Sequence, residues 1–327
     1  MADDWREVHA WLTESGASVR SVKPMVGDLS QRRYARVDLD GESFIVARYP
    51  SAILPTCARF LRTTELLQAV GIRVPRVLRV DVERGLTLLE DLGGRTMHDA
   101  QGRPWNELVP TYRAAIAIIE RLGRIDPATC DELNPRLDTA LLRKELEQTR
   151  SVFLDPWVET GDRAVDRDAA AALDHLCTEL EHAGGSLVPC HRDFMARNLI
   201  EVEGGLAVLD HQDLRLGPRA YDLASLLNDS LFPPPGIESE LQSLAGIDDG
   251  SRRAYDQAVV QRSLKAVGTY ALFASRGRTR HVSLIAPTIE RATAAMSRLP
   301  ELRALAAHWR PALLEGARRL SATLKSA

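Results

Sequence analysis

His191-Arg192-Asp193-Phe194-Met195-Ala196-Arg197-Asn198, followed by the apolar run Leu206-Ala207-Val208-Leu209 that ends on Asp210, is the stretch whose reading decides the fold. Phosphoryl transfer needs a carboxylate for the acceptor hydroxyl and hard oxygen ligands for Mg²⁺. Asp193, Asn198 and the strand-borne Asp210 supply that set at the spacing of a catalytic loop and the metal-binding strand that follows it. Asp193 is the expected base or orienting acceptor, and Asn198 and Asp210 are the expected metal ligands. His-Arg-Asp alone is a common tripeptide; the spacing to the two downstream oxygens is what carries the reading. His191 is expected to be a structural hydrogen-bonding residue.

Downstream of Asp210 come His211-Gln212-Asp213, Gly217-Pro218 and Tyr221-Asp222-Leu223. Asp213 is a candidate for substrate contact or for fixing the loop. Asp222, just ahead of the apolar positions 223, 226 and 227, is expected to cap a helix or to hold the catalytic loop. Tyr221 reads as core.

Working back to the start, Trp5, Val8, Trp11 and Leu12 fall at helical spacing, and residues 19–49 then turn extended, with Asp40-Gly41 as a hairpin turn. Residues 57–70 read as a helix, and two short runs, 76–80 and 85–89, complete a five-stranded antiparallel sheet. Glu90-Asp91-Leu92-Gly93-Gly94 reads as a hinge, since glycine admits the dihedrals a change of direction needs. Beyond it, residues 109–122, 139–153, 168–182, 253–273, 288–296 and 301–324 carry apolar residues at helical spacing. Strands are expected only at 186–188 and around 199–209, and Pro233-Pro234-Pro235-Gly236 as a rigid loop. The expected fold is α+β and bilobal, like a protein kinase: a nucleotide-binding lobe over residues 1–91 and a mainly helical catalytic and substrate-binding lobe over 92–327, with ATP in the cleft. In the first lobe Ser30 and Arg32 are candidates to cover nucleotide phosphates, and Arg48, at the end of the third strand, to pair with the α and β phosphates. Glu65 is the acid available to Arg48, or else an exposed helix residue. Glu90 and Leu92 flank the segment whose backbone would read adenine.

Composition sets limits. With 42 Lys and Arg against 45 Asp and Glu, the chain has no bulk basic field for a nucleic acid. Cys57, Cys130, Cys177 and Cys190 form no CxxC pair, which argues against zinc and against a disulfide framework. No apolar run is long enough to span a membrane, and the amphipathic start lacks the layout of a signal peptide. The expectation is a cytoplasmic protein with reduced thiols, a small-molecule substrate and no obligate protein partner.

Together these stretches resemble the aminoglycoside-phosphotransferase-like kinase superfamily, through Arg48, Leu88-Leu89-Glu90-Asp91-Leu92-Gly93, His191 to Asn198, and Asp210. Within it the chain resembles the bacterial anomeric kinases of N-acetylmuramate and N-acetylglucosamine. That narrower likeness rests on Gly27-Asp28, Ser30, Arg32-Arg33-Tyr34, Phe194, Arg197-Asn198-Leu199, Gln212-Asp213, Gly217-Pro218, Tyr221-Asp222-Leu223, Gln261 to Gly268, Arg280-His281 and Pro287. The resemblance implies ATP and Mg²⁺ as cofactors, Asp193 as base, and the C1 hydroxyl of an amino sugar as acceptor in cell-wall sugar recycling. It departs at His211, where an aromatic residue is expected, and at Met195, where the family commonly has a polar one. A sugar acid would need a cation, for which Arg197, Arg215, Arg262 and Lys265 are candidates. The alternatives are a kinase for an aminoglycoside or amino alcohol, and a non-catalytic nucleotide-binding scaffold.

Overall fold

The computed structural model of the chain describes residues 2–14, 16–25, 31–183 and 185–326. Gly27, Asp28 and Ser30 lie outside the described residues. The chain packs into two compact units: residues 1–95 with 200–213, and residues 96–199 with 214–327.

The first unit contains helix α1 (Ala2–Thr13), strands β1 (Val19–Met25), β2 (Arg33–Leu39) and β3 (Glu42–Arg48), helix α2 (Leu54–Ala69), and strands β4 (Val77–Asp81) and β5 (Leu86–Glu90). The sheet order is β1-β2-β3-β5-β4, every pair antiparallel. Asp40 and Gly41 both have positive φ, 55° and 97°, the primed turn whose twist matches a two-residue hairpin. Alternation along the central strands divides two cores. Val46 and Leu88 join Val8, Trp11 and Leu12 of α1, while Ala47 and Leu89 join Cys57 and Phe60 of α2. A helix on each face explains why β3 and β5 read as nearly continuous apolar runs.

Residues 200–213 pack with this sheet although they lie far downstream. They comprise most of a hairpin, β7 (Leu199–Val202) and β8 (Gly205–Val208), and the turn His211–Asp213. Val208 N–H donates to the Arg73 carbonyl at 2.8 Å and Glu201 N–H to the Arg95 carbonyl at 3.1 Å. A boundary drawn once along the sequence, at residue 91, leaves this hairpin on the far side.

The second unit is helical: α3 (Trp105–Leu122), α4 (Pro127–Asp131), α5 (Thr139–Thr149), α6 (Asp155–Trp157), α7 (Arg163–His182), α8 (Tyr221–Leu227), α9 (Pro235–Leu244), α10 (Asp249–Ser275), α11 (Ile285–Arg298) and α12 (Arg303–Ser326). One short ladder, β6 (Val188–Cys190) against β9 (Arg215–Gly217), leads into the loop at residues 191–198. Strand β9 is absent from the sequence reading because three residues, all buried, show no alternation. The expected Pro-rich loop opens α9, with Pro235 at its first position, where the missing N–H costs nothing. Helix α5 stops at Thr149, short of the expected 153, because it widens into a π turn over Arg150–Leu154.

Helix α10 is buried nearly all round and still carries Gln257, Gln261, Arg262 and Lys265 inside. It lies close to α5 because Gly268 has no side chain: a Cβ there would stand 2.7 Å from the Thr149 Cα. The Thr149 hydroxyl also donates to the Leu264 carbonyl at 3.0 Å. Gly to Ala inside a helix ordinarily stabilises by about 0.5–1 kcal/mol. Here forced overpacking costs about 1–3 kcal/mol. Gly268→Ala is therefore expected to lower the melting temperature in calorimetry, and an unchanged or higher one would refute this account of the α5–α10 contact.

Candidate active site

In the second unit the chain leaves β6 at Cys190 and enters the loop through Arg192, whose φ of 75° is uncommon for a non-glycine residue. Asp222, in the first turn of α8, holds it there. Its Oδ2 accepts from His191 N–H at 2.7 Å, and its Oδ1 from Arg192 N–H at 2.9 Å and the Cys190 thiol at 3.2 Å. The N-cap of α8 is Ala220 with no side-chain cap, so of its two expected roles Asp222 takes the second. Burial raises its pKa, against the opposing effects of His191 and the three donors. The His191 ring meets Phe194 edge-on at 5.7 Å, a packing role. Asn198 closes the loop: its Nδ2 donates to the Asp193 carbonyl at 2.9 Å. That leaves Asn198 Oδ1 accepting nothing among the described residues.

Charge gathers around Asp193. Lys265 Nζ donates to Oδ1 at 2.8 Å, and Arg262 Nη2 stands 3.8 Å from the same oxygen. Glu145, from α5, pairs with Arg192 at 2.6 Å and Lys265 at 3.6 Å. It also accepts from Gln261 Nε2 at 3.1 Å, and Gln261 Oε1 accepts from the Tyr221 hydroxyl at 2.7 Å. Burial opposes ionisation of Asp193, but Lys265, Arg192 and Arg262 outweigh it and hold the carboxyl well below the usual carboxylate range. Its side chain is still 27% exposed, and Oδ2 accepts nothing among the described residues. Lys265 is pushed down by burial, with Asp193 and Glu145 offsetting part of the shift.

In the first unit Asp210 has φ 60°, again left-handed. Arg32, expected over phosphates, is buried with its guanidinium on Asp210 Oδ1 and, at 2.8 Å, on Gln212 Oε1. Gln212 Nε2 donates to the same Asp210 oxygen at 3.1 Å. Burial works against the charge of Arg32, but Tyr34 and then Asp210 outweigh it and raise its pKa. Asp210 Oδ2 accepts nothing among the described residues. His211 fills the place of the expected aromatic residue: its ring stacks on Phe60 at 4.8 Å, and Nδ1 meets the Thr63 hydroxyl at 2.8 Å. Arg48 pairs with Glu7 of α1 at 2.9 Å, while Glu65 pairs with Arg62 on its own helix at 2.9 Å. The Arg48–Glu65 pair weighed from the sequence is therefore not formed. At the hinge, Glu90 accepts from Arg73 at 2.6 Å, and Leu92 is half-buried.

Of the remaining candidates, Arg197 lies against Asp229 at 3.3 Å, the Tyr270 hydroxyl at 3.1 Å and His281 Nδ1 at 2.9 Å. Arg215 donates to the Pro135 carbonyl at 3.0 Å, and Asp213 is half-buried at the end of its turn. Glu145 is the member of the Asp193 cluster that sequence reading missed. It sits on a mixed-charge helix far upstream, and only its burial distinguishes it.

Residues 21–257 match the phosphotransferase enzyme family. An N-acetylmuramate/N-acetylglucosamine kinase of Pseudomonas aeruginosa is 32% identical over 302 residues, spanning 86% of each chain. One of the same name from Pseudomonas putida is 30% identical, spanning 92% of this chain and 88% of that protein. Among solved structures, a choline kinase of Streptococcus pneumoniae superposes with TM-score 0.59 at 15% identity, covering 92% of this chain and 99% of that one. A macrolide 2′-phosphotransferase type I does so with TM-score 0.61 at 16% identity, covering 91% and 97%. These likenesses show the fold, a five-stranded antiparallel sheet unit and a helical unit as in protein-kinase-like phosphotransferases. A match across residues 21–257 covers well over half of the sequence, and the chain belongs to the phosphotransferase enzyme family.

Proposed function

We propose that the protein transfers the γ-phosphoryl group of ATP to the C1 hydroxyl of N-acetylmuramate and N-acetylglucosamine, in the cytoplasm, as a step of cell-wall sugar recycling. The names of the relatives support the acceptor. The observation that carries the reaction is Asp193, a carboxylate with Oδ1 fixed by Lys265 and Oδ2 open. An acceptor hydroxyl donating to Oδ2 is held in line for attack. Because the carboxyl is so acidic, Asp193 orients the hydroxyl and takes its proton late, as a loose phosphoryl-transfer transition state requires. Asp222 keeps the loop in place throughout, and among the described residues no helix is long and apolar enough to cross a membrane.

Asn198 Oδ1 and Asp210 Oδ2 suit Mg²⁺: both are hard oxygens with no acceptor role elsewhere among the described residues. When bound, Mg²⁺ would neutralise phosphate charge.

A cationic acceptor, the rival reading, fits less well. Lys265, Arg262 and Arg192 gather at Asp193, and an aminoglycoside or choline would meet like charge there. ADP release against a panel of N-acetylmuramate, N-acetylglucosamine, aminoglycosides and amino alcohols decides. Turnover on the two N-acetyl sugars is expected; turnover confined to a cationic acceptor would sink the proposal.

Asp193→Asn is expected to lower kcat by about 10²–10⁴-fold, the usual range for a positioned acid or base. In the wild type, kcat/KM should show no acid limb at about pH 6–7, where a base tuned toward neutrality would titrate. The sign follows from the lowered pKa: Asp193 is ionised on both sides of that range, so its protonation cannot switch activity off there. A limb in that range that disappears in Asp193→Asn would refute this account.

A further inference from the structure

Arg262 is only 5% exposed, and its guanidinium makes one hydrogen bond among the described residues. Nε donates to the Ser225 hydroxyl at 3.0 Å, and Nη2 approaches Asp193 Oδ1 no closer than 3.8 Å. Neither Nη group makes a hydrogen bond among the described residues. The Ser225 contact fixes one edge of the fork and leaves the other free to meet an anion. One turn further along α10, Lys265 faces the same Asp193 oxygen. Two cations on adjacent turns of a buried helix thus converge on one carboxylate oxygen.

We propose that Arg262 and Lys265 are catalytic residues forming an oxyanion subsite for the non-bridging oxygens of the transferring phosphoryl group. The proposal rests on Asp193 as the residue that meets the acceptor hydroxyl. The hydroxyl oxygen bonds to phosphorus as the bond from phosphorus to the β-phosphate oxygen of ADP breaks, and the hydroxyl proton passes to Asp193 Oδ2 and then to solvent. The phosphoryl group therefore arrives one bond from the atom that Asp193 holds, beside both cations. The planar guanidinium fork matches two phosphoryl oxygens, and the ammonium supplies a point charge. As the phosphoryl oxygens draw on Lys265 and Arg262, their hold on Asp193 Oδ1 weakens. The other anion that could reach a cation here is the carboxylate of N-acetylmuramate. It hangs from the C3 ether, two ring carbons from C1, whereas the phosphoryl group is bonded to the very oxygen Asp193 holds, so cations touching Asp193 are placed for the phosphoryl group instead.

Arg262→Gln, checked for a wild-type melting curve, is the test. It is expected to lower kcat by about 100-fold on both N-acetylmuramate and N-acetylglucosamine, the scale of losing one oxyanion donor. KM for each sugar and for ATP should stay near wild type. Arg262→Lys, which keeps the charge and loses the fork, should recover part of kcat, and it decides the matter if the Gln variant does not fold. Trapping of ADP with aluminium fluoride, a mimic of the phosphoryl in flight, should weaken at least as much, with ADP affinity unchanged. That readout needs no sugar, so a failed acceptor panel and a failed subsite register separately. A loss confined to N-acetylmuramate and expressed in KM would overturn the proposal, assigning Arg262 to the carboxylate. So would wild-type kcat and fluoride trapping in a folded variant.

Discussion

The paired hydrogen bonds from His191 and Arg192 N–H to the Asp222 carboxylate are the constraint on which the catalytic loop depends. Arg192 sits in a left-handed conformation that a branched backbone tolerates only under compulsion, and two charge-assisted bonds to a buried acceptor supply it. The twist at Arg192 brings Asp193 toward Lys265 and turns the Arg192 side chain to Glu145. Helix α8 can provide so rigid an anchor because all its residues, Tyr221 to Leu227, are buried. A loop that carries chemistry is thereby tied to a core element instead of being left to solvent.

Helix α10 supplies the electrostatics. Polar and charged residues on the buried face of a helix call for partners. Gln261 and Lys265 find theirs in Glu145 and Asp193, and Glu145 in turn ties down Arg192. Tight packing at Gly268 brings α5 close enough for Glu145 to reach both cations, so one missing methyl group links the core to the charge balance around Asp193.

Much of this was legible in the sequence because the decisive signals are local. The Asp40-Gly41 turn, the alternation that divides Val46 from Ala47, and the spacing of Asp193 to Asn198 and Asp210 each need only a short window. What escaped depends on long-range contact. Glu145 is unremarkable until α5 meets α10, and β9 is too short to show a period. Of the two readings open for Glu65, the exposed helix residue holds, because α1 places Glu7 beside Arg48 and Glu65 pairs with Arg62 on its own helix. A discontinuous unit, with residues 200–213 joined to residues 1–95, cannot be read from composition, since nothing in the hairpin itself names its partner.

Asp193 and Asp210 are built on the same principle in separate units. Each has Oδ1 taken by a cation that is itself mostly buried, Lys265 in one case and Arg32 in the other, and each keeps Oδ2 open. A left-handed backbone position accompanies each, Asp210's own and that of Arg192 directly before Asp193. A carboxylate free at both oxygens would rotate about its terminal torsion, which is broad and weakly restrained. With one oxygen pinned by a charge-assisted bond, the other points in a single direction. Oxygen identity is thus divided between holding and working, which lets a short loop present ligands with the fixity usually found only on strands and helices.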